Sequence, residues 1–259
     1  RMPAVETLGA VTVICSDKTG TLTKNEMTVR RLMTADQVVV VGGTGYAPHG
    51  SFSVDDRELA EPAAVPALRE LGCAALLCND ASLREVDGHW RLEGDPTEGA
   101  LVTLGRKLGL DPRFEAAALP RLDVIPFESQ HRFMATLHHD HHGHAFTYVK
   151  GAPEEVLVRC ARQRQAGEDQ PLRRAWWQER MEALARDGQR VLALAFAPLP
   201  NGQRELDFAD LEGGLTLLGL AGIMDPPREE AIVAVANCQA AGIRVKMITG
   251  DHAVTAQAI

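Results

Sequence analysis

The residues around Asp17 have the types and the spacing for phosphoryl chemistry. Residues 11–15 form a mostly apolar run that is rich in β-branched residues and too short for a helix, and they predict a buried strand that ends beside Asp17. The string Ser-Asp-Lys-Thr-Gly-Thr-Leu-Thr follows over 16–23, and the N–H groups and side chains of such a turn can stabilise phosphoryl oxygens. A carboxylate aimed from this turn can attack phosphorus and form an acyl phosphate. Asp17 could instead cap a turn, but the length of the string favours the chemistry.

Three stretches of the chain must position this turn. The first, residues 1–27, holds the predicted strand, and ligands collect at the carboxyl ends of such strands in open α/β sheets. The middle, residues 28–222, mixes strand patterns with amphipathic helices, which predicts an α+β domain with a mostly antiparallel sheet. Its predicted helices cover 64–79, 98–108 and 176–185, and its predicted strands cover 38–41, 133–138, 145–149 and 190–197.

The last stretch again has the pattern of the first, in which apolar strand-like runs are followed by polar residues. It contains an apolar run at 215–223, a break at Asp-Pro-Pro-Arg, a helical pattern at 229–241 and a strand pattern at 244–248. Strand, helix and strand in this order predict a βαβ unit. The middle domain is therefore predicted to be an insertion, and its two flanks are predicted to share one parallel sheet.

Composition and charge exclude several classes of protein. The 259 residues are 45% hydrophobic and 24% charged, which is ordinary for a globular protein with a real core. The net charge of −8 argues against a surface for nucleic acid or acidic lipid. Five cysteines without a C-x-x-C pair indicate a reduced, cytosolic chain. Because no signal peptide and no apolar run of ~18 residues occur, the chain as given is expected to be soluble.

Four segments together resemble the P-type ATPases of the haloacid dehalogenase superfamily. Asp-Lys-Thr-Gly-Thr-Leu-Thr over 17–23 is similar to the family's phosphorylation signature, and Lys-Gly-Ala-Pro-Glu over 150–154 to its nucleotide-domain lysine motif. Asp-Pro-Pro-Arg over 225–228 resembles the hinge, and Thr-Gly-Asp over 249–251 the second loop of the phosphorylation domain. Their order and spacing match the family over the whole chain.

The resemblance implies an α/β fold class. A Rossmann-like haloacid-dehalogenase phosphorylation domain, present in part, would comprise residues 1–27 and, with the hinge, residues 223–259. An inserted α+β nucleotide-binding domain built on an antiparallel sheet would occupy residues 28–222. The implied cofactors are ATP and Mg²⁺.

For the phosphorylation domain, the resemblance implies a set of roles around the nucleophile, Asp17. Lys18 would add a hydrogen-bond donor for the phosphoryl group. Thr19 would contact the phosphoryl group and lend its carbonyl to Mg²⁺, which would bridge Asp17 and the phosphate. After the last strand, Thr249 and Gly250 would hold phosphate oxygens. Asp251 would contact the ribose or hinge.

For the nucleotide domain, the resemblance implies a pocket for the base and an arginine for the phosphates. Phe127 lies where the family stacks adenine on an aromatic ring, although it could also be a core residue. Lys150 and Gly151 would lie along the adenine pocket, whereas an isolated lysine would normally be solvated. Glu98 resembles the acidic group near the adenine amine, although glutamate also suits the start of a helix. Arg190 looks like the arginine that meets the β-phosphate.

Four further positions complete the comparison with the family's motifs. Arg132 matches a basic position after the aromatic ring. Ser129 stands where many animal pumps carry an arginine, so one phosphate contact of those pumps has no counterpart here. Asp225 and Arg228 resemble hinge residues close to the nucleotide.

Thr19 distinguishes a pump from the main alternative, a soluble phosphatase or phosphotransferase of the same superfamily. Those enzymes carry a second aspartate two residues after the nucleophile, which acts as general acid and base. Threonine cannot exchange protons near neutral pH, so an acyl phosphate on Asp17 should hydrolyse slowly, as a pump requires. A regulatory nucleotide-binding module would have no use for the string around Asp17. No G-x-x-x-x-G-K-[ST] motif occurs, which excludes a P-loop enzyme.

The resemblance also implies a larger parent protein. The family's later Gly-Asp-Gly-x-Asn-Asp loop, membrane helices and actuator domain do not occur in the 259 residues, so we expect a fragment that binds ATP weakly and phosphorylates itself poorly. Its partners would be ATP, a transported cation, and the actuator and transmembrane domains of the parent, at the cytoplasmic face of a membrane. The motif combination and the absence of a His-Pro pair favour a type II pump, with calcium or a similar cation.

One histidine-rich segment stands apart from these motifs. Five of the nine histidines lie between His138 and His144. Imidazoles at this spacing could bind a transition metal. The segment falls on the predicted tip of a hairpin, where polar residues are expected, so the favoured interpretation is a polar loop.

Overall fold

The computed structural model describes residues 11–249, so the predicted site residues Gly250 and Asp251 lie outside the described part. This part contains fifteen strands and six α-helices. The strands are β1 (Val13–Asp17), β2 (Thr28–Met33), β3 (Val38–Val41), β4 (Phe52–Val54), β5 (Arg57–Glu58), β6 (Ser82–Val86), β7 (His89–Glu93), β8 (Arg121–Ile125), β9 (Phe133–His139), β10 (Ala145–Gly151), β11 (Cys160–Gln165), β12 (Glu168–Pro171), β13 (Arg190–Leu199), β14 (Leu215–Met224) and β15 (Arg244–Ile248). The helices are α1 (Pro66–Leu77), α2 (Pro96–Lys107), α3 (Pro112–Ala118), α4 (Pro153–Arg159), α5 (Arg174–Arg186) and α6 (Glu229–Ala240).

One eleven-stranded sheet dominates the described residues. Nine of its strands follow the order β5-β4-β3-β2-β14-β13-β10-β9-β8, and all neighbours along this path are antiparallel. Strand β11 pairs with β12 in antiparallel fashion and with β14 in parallel fashion. The prediction of a mostly antiparallel sheet with helices for the middle of the chain is therefore confirmed.

Helices cover both faces of this sheet. Leu68 of α1 and Leu101 of α2 pack in one cluster with Tyr148, whereas Trp177 of α5 packs in a second cluster with Val149. Successive residues of β10 thus contribute to opposite clusters, as the two-residue period of a strand requires. None of the helices described between residues 11 and 249 has the length and apolarity to span a bilayer.

The predicted helices at 64–79, 98–108 and 176–185 correspond to α1, α2 and α5, with ends that differ by one or two residues. The hairpin of β6 and β7 was not predicted, although the sequence carries a signal for it. Asp87 and Gly88 join the two strands with φ values of 53° and 74°, and Asp-Gly favours this type of tight hairpin turn.

Strand β14 contradicts the prediction that residues 215–223 begin a βαβ unit in a parallel sheet. It lies in the centre of the large sheet, antiparallel to β2 and β13, and nine of its ten residues are buried. Leu217 and Leu218 belong to the two different clusters. A continuous apolar run marks a strand that is covered on both faces, and this covering does not depend on strand direction.

Strands β1 and β15 form a separate parallel pair in which Asp17 is opposite Ile248. The predicted parallel relation between the first strand and residues 244–248 is therefore confirmed. The prediction that the first strand is buried is wrong, since Ile14 and Cys15 are exposed. In the described part of the chain, too few residues pack against this two-stranded sheet to cover both of its faces.

Gly219 of β14 tests how closely the central strands pack. A Cβ added there would lie 2.5 Å from the carbonyl oxygen of Met33 on β2 and 2.7 Å from Cδ1 of Leu71. We expect Gly219→Ala to lower the free energy of unfolding by about 1–3 kcal/mol, because backbone atoms must shift. Gly214→Ala is the control, since its added Cβ meets its nearest neighbour at 4.0 Å. Urea unfolding that shows equal losses for both variants would contradict this packing.

Candidate functional site

A cleft of about 640 Å³ lies where seven segments of the chain converge. These segments are the loop after α1, the first two turns of α2, the loop between β8 and β9, the start of β9, the end of β10, the first turn of α4 and the start of β13. The lining includes six of the eight residues predicted for nucleotide binding, which are Glu98, Phe127, Arg132, Lys150, Gly151 and Arg190.

Buried Lys150 and half-buried Glu98 form an ion pair in the wall of the cleft. Lys150 Nζ lies 2.5 Å from Oε1 of Glu98, and Lys150 is only 5% exposed. Strand β10 holds Lys150 between Met134 of β9 and Leu194 of β13. Taking both charges out of water is costly unless they are paired, so each side chain depends on the other. The solvated-surface interpretation of Lys150 is therefore wrong.

The first turn of α2 positions Glu98. Oδ1 of Asp95 accepts hydrogen bonds from the N–H groups of Thr97 at 2.8 Å and Glu98 at 3.2 Å, and a proline occupies the first helical position. Asn79 Nδ2 donates to the carbonyl oxygen of Glu98 at 3.0 Å, which ties α2 to the end of α1. Nη1 of Arg190 donates to Oγ1 of Thr97 at 3.1 Å. The start of β13 is thereby held against the helix.

The loop between β8 and β9 presents Phe127, whose side chain is 59% exposed. The alternative interpretation of Phe127 as a core residue is therefore wrong. Nε2 of His131 lies 2.9 Å from the carbonyl oxygen of Pro126, directly before Phe127. The His131 ring packs against Phe133 and Phe208, with centroids 4.6 and 5.2 Å apart. These contacts fix the loop while the Phe127 ring faces the cleft.

Arg132 closes the same loop with a left-handed backbone, at a φ of 54°. Its N–H donates to the carbonyl oxygen of Glu128 at 2.7 Å, and its carbonyl oxygen accepts from the N–H of Ala152 at 2.9 Å. Its guanidinium is 2.7 Å from carboxylate oxygens of both Glu154 and Glu155. The hydrogen bond from Arg132 is the main cause that lowers the pKa of Glu155.

Gly151 allows β10 to approach this loop closely. A Cβ at Gly151 would lie 2.6 Å from the carbonyl oxygen of Arg132 and 2.6 Å from Cα of Phe133. These are backbone atoms of the neighbouring strand, so any side chain at this position would push the loop away. The close packing of β10 against this loop therefore requires glycine at this position of the Lys-Gly-Ala-Pro motif.

Asp17 lies at the end of β1, where its side chain is exposed to solvent. The turn Lys18–Leu22 follows, with Gly20 in the left-handed region at a φ of 73°. Within it Thr19 is exposed, whereas Lys18 is 7% exposed. The turn thus brings Asp17 and Thr19 to the surface together.

Thr249 follows β15 and is half-buried. Because β1 and β15 are parallel and Asp17 is opposite Ile248, Thr249 lies at the same edge of this sheet as Asp17. The structure therefore places these two predicted site residues, from distant parts of the sequence, at one sheet edge.

Asp225 and Arg228, predicted to lie close to the nucleotide, are not among the residues that line the cleft. They contact the turn that follows β1. Asp225 is 4% exposed, and its carboxylate lies 2.5 Å from Oγ1 of Thr23 and accepts from the N–H of Glu26 at 3.2 Å. Arg228 donates to the carbonyl oxygens of Thr23 at 3.0 Å and Gly20 at 3.2 Å. The hinge residues thus hold the turn in place.

The histidine-rich segment forms the tip of the β9–β10 hairpin. Asp140 accepts hydrogen bonds from the N–H groups of His142 and His144 and from Nδ1 of His144. His138 lies under the tip, where burial lowers its pKa to about 4 and keeps it neutral near pH 7. Among residues 11–249, no cluster of three or more metal-ligating side chains is arranged to hold an ion.

The cleft includes residues for which the sequence analysis assigned no role. The sequence does indicate that Asp95 begins a helix, because Asp before Pro-Thr-Glu is a typical helix start. The others come from separate helices and strands, and no local pattern brings them together. They include Asp80, Leu101, Met134 and Leu192.

The family model described as "P-type ATPase, cytoplasmic domain N" matches residues 67–230, which is more than half of the chain and includes every residue of the cleft lining. The chain belongs to the P-type ATPases. The match supports the family resemblance stated above, and it covers the helices, the strands and the loop that form the cleft.

Several curated cation-transporting and calcium-transporting ATPases are similar to the whole chain. They include "Cation-transporting ATPase pma1" from Synechocystis at 46% identity, "Calcium-transporting ATPase" from Bacillus subtilis at 37% and "Calcium-transporting ATPase type 2C member 1" from Bos taurus at 40%. Each alignment covers 100% of this chain but only 29%, 29% and 26% of the respective relative. The chain therefore spans less than a third of the length of these relatives.

The buried Lys150–Glu98 pair can be tested by a double-mutant cycle with Lys150→Met and Glu98→Leu. Each single substitution leaves a buried or half-buried charge without its partner and should cost up to about 3 kcal/mol of unfolding free energy. The double substitution should cost less than the sum, with a coupling energy of about 1–3 kcal/mol.

The control cycle uses Arg84→Met and Glu93→Leu, which remove an exposed pair with a 3.1 Å separation on β6 and β7. Its coupling energy should stay below about 1 kcal/mol. Urea unfolding of all variants gives both values. Equal coupling in the two cycles would show that burial does not strengthen the Lys150–Glu98 pair.

Proposed function

We propose that this chain is the ATP-binding and phosphate-accepting cytoplasmic part of an ATP-driven cation pump. The observation that carries the proposal is the convergence of six predicted nucleotide residues on one cleft in a member of the P-type ATPases. Asp17, at the end of β1, would accept the γ-phosphate.

The size and the lining of the cleft support nucleotide binding. Its volume of about 640 Å³ falls within the range of about 300–1,000 Å³ that is usual for small-molecule sites. The exposed ring of Phe127 offers a stacking surface for the base, beside the apolar side chains of Leu101 and Met134. The guanidinium groups of Arg132 and Arg190 are suited to phosphate oxygens.

The turn after β1 supports phosphoryl transfer to Asp17. An oxygen of its carboxylate attacks the γ-phosphorus, the bond from that phosphorus to the bridging oxygen breaks, and ADP leaves. Asp17 is exposed and therefore accessible to the incoming nucleotide. The hydroxyl of Thr19 cannot act as a general base near neutral pH, so water attacks the acyl phosphate slowly.

The residues near Asp17 fit a magnesium ion. Mg²⁺ prefers oxygen ligands, and the exposed carboxylate of Asp17 and the carbonyl oxygen of exposed Thr19 are of this kind. Sites of this type usually use one or two carboxylates, with water and phosphate oxygens as the remaining ligands. When bound, the ion neutralises negative charge on the phosphoryl group.

The relatives named above are cation-transporting and calcium-transporting ATPases, which supports a cation as the cargo of the whole protein. We propose calcium or a similar cation, bound by membrane segments of the parent. The chain would then lie at the cytoplasmic face of the membrane and work with the actuator and transmembrane domains.

Phe127→Ala tests the proposed base-stacking surface. We expect ATP to bind the 259-residue chain about tenfold more weakly after this substitution, because stacking of a base on an aromatic ring is lost. Phe114→Ala is the matched control, since Phe114 is 67% exposed on α3 and does not line the cleft. Isothermal titration calorimetry measures both affinities. Equal affinities for the two variants would contradict adenine stacking on Phe127.

Asp17→Asn tests the proposed phosphate acceptor in the parent protein. With γ-labelled ATP, the unsubstituted protein should acquire an acid-stable label that hydroxylamine removes, since an acyl phosphate reacts with this nucleophile. Asp17→Asn should abolish the label. Asp55→Asn, at an exposed aspartate remote in sequence, should retain it. A label that persists in Asp17→Asn would refute the assignment.

A further inference from the structure

We propose that Glu154 and Glu155 set the nucleotide affinity of the cleft by competing with the phosphate groups for Arg132. This inference rests on the proposed function, because it concerns the same cleft and the same ligand. It assigns a role to Glu154, the last residue of the Lys-Gly-Ala-Pro-Glu motif, and to Glu155 directly after it.

The three cations that line the cleft have different partners. Lys150 is paired with Glu98 and buried, so its charge is already neutralised inside the protein. Arg190 donates to the neutral hydroxyl of Thr97, which leaves its charge for an anion. Arg132 is held by two carboxylates at once. Arg132 can therefore contribute to anion binding only when its guanidinium leaves these carboxylates for the anion.

The backbone of Arg132 is fixed without help from its side chain. Its N–H is bonded to Glu128, and its carbonyl oxygen to Ala152. Gly151 packs directly against the same carbonyl group. The guanidinium can therefore leave the glutamates by side-chain rotation while the loop that carries Phe127 keeps its shape.

The ion pairs of Arg132 are exposed enough to be exchanged. Its side chain is 46% exposed, and those of Glu154 and Glu155 are 52% and 28% exposed. Ion pairs in contact with water are individually weak, so a phosphate group can compete with them. The Lys150–Glu98 pair is different, because its burial makes separation costly.

The two glutamates are not equivalent. Glu155 also pairs with Arg159 at 3.3 Å, so it keeps a cationic partner when Arg132 moves. Glu154 lines the cleft, where its charge also repels phosphate directly. Four carboxylates and three cations line the cleft, and Asp80 among the carboxylates pairs with Arg121 outside the lining. We therefore assign the larger effect to Glu154.

If these pairs had a structural role instead, removing the glutamates would change ATP affinity in the opposite direction. Glutamates in the first turn of α4 suit the helix dipole, and their pairs with Arg132 could hold the loop in place. In that case their removal would loosen the loop and weaken nucleotide binding. Competition predicts tighter binding. The direction of the change distinguishes the two roles.

Calorimetric titration of the 259-residue chain with ATP and with adenosine tests the proposal. We expect Glu154→Gln to bind ATP about two- to fivefold more tightly, as expected for removal of one exposed ion pair. Glu155→Gln should give a smaller gain in the same direction. Adenosine affinity should not change in either variant, because adenosine has no phosphate to contact Arg132.

Two controls connect the gain to Arg132. In the Arg132→Met background, Glu154→Gln should give a much smaller gain than in the unsubstituted chain, because only the direct repulsion between Glu154 and phosphate is then relieved. Glu182→Gln, which removes the same charge from an exposed position on α5 outside the cleft, should leave ATP affinity unchanged.

Failure of this inference differs from failure of the proposed function. If the unsubstituted chain binds ATP but Glu154→Gln binds it equally or more weakly, the competition is refuted and the nucleotide site remains. An equal gain for adenosine would also refute it, since the phosphates would then play no part. If neither ATP nor adenosine binds the unsubstituted chain, both the nucleotide site and the competition are refuted.

Discussion

A buried carboxylate, that of Asp225, joins the two connections between the large sheet and the parallel pair of strands. The chain leaves the turn after β1 to enter β2, and it returns from β14 at the hinge. Because β2 and β14 are neighbours in the sheet, these two connections run side by side. Thr23 and the N–H of Glu26 compensate the buried charge of Asp225.

Backbone hydrogen bonds reinforce the same junction. Lys24 donates to Pro226 at 3.0 Å, and Arg228 donates to Leu22 at 2.8 Å. The turn that presents Asp17 and the sheet that carries the cleft are therefore built from one shared pair of segments. This connection explains why the hinge residues contact the turn rather than the lining of the cleft.

The local structure was predictable where the residue types over a few positions determine it. Residues 16–23 predicted a turn with an accessible aspartate, and Gly20 does adopt the left-handed backbone that such a turn requires. Eight residues were predicted from motifs to lie near the nucleotide, and six of them line one cleft, whereas Asp225 and Arg228 do not. Strand β14 was assigned to the wrong sheet, because an apolar run reports burial on both faces and carries no information about its neighbours. Likewise the apolar pattern of β1 did not reveal that this strand is exposed.

The sequence by itself determined the family, the nucleophile candidate, the motif residues and most of the helices and strands, because these depend on residue types over a few positions. Only the tertiary structure decided which charges are buried with a partner and which remain exchangeable. Lys150 is 52 positions from Glu98 in the sequence and Arg132 is 22 from Glu154, so neither pairing follows from local spacing. Burial separates the two pairs: the pairing of β10 with β9 and β13 encloses Lys150, whereas Arg132 lies on a surface loop where water can replace its partners.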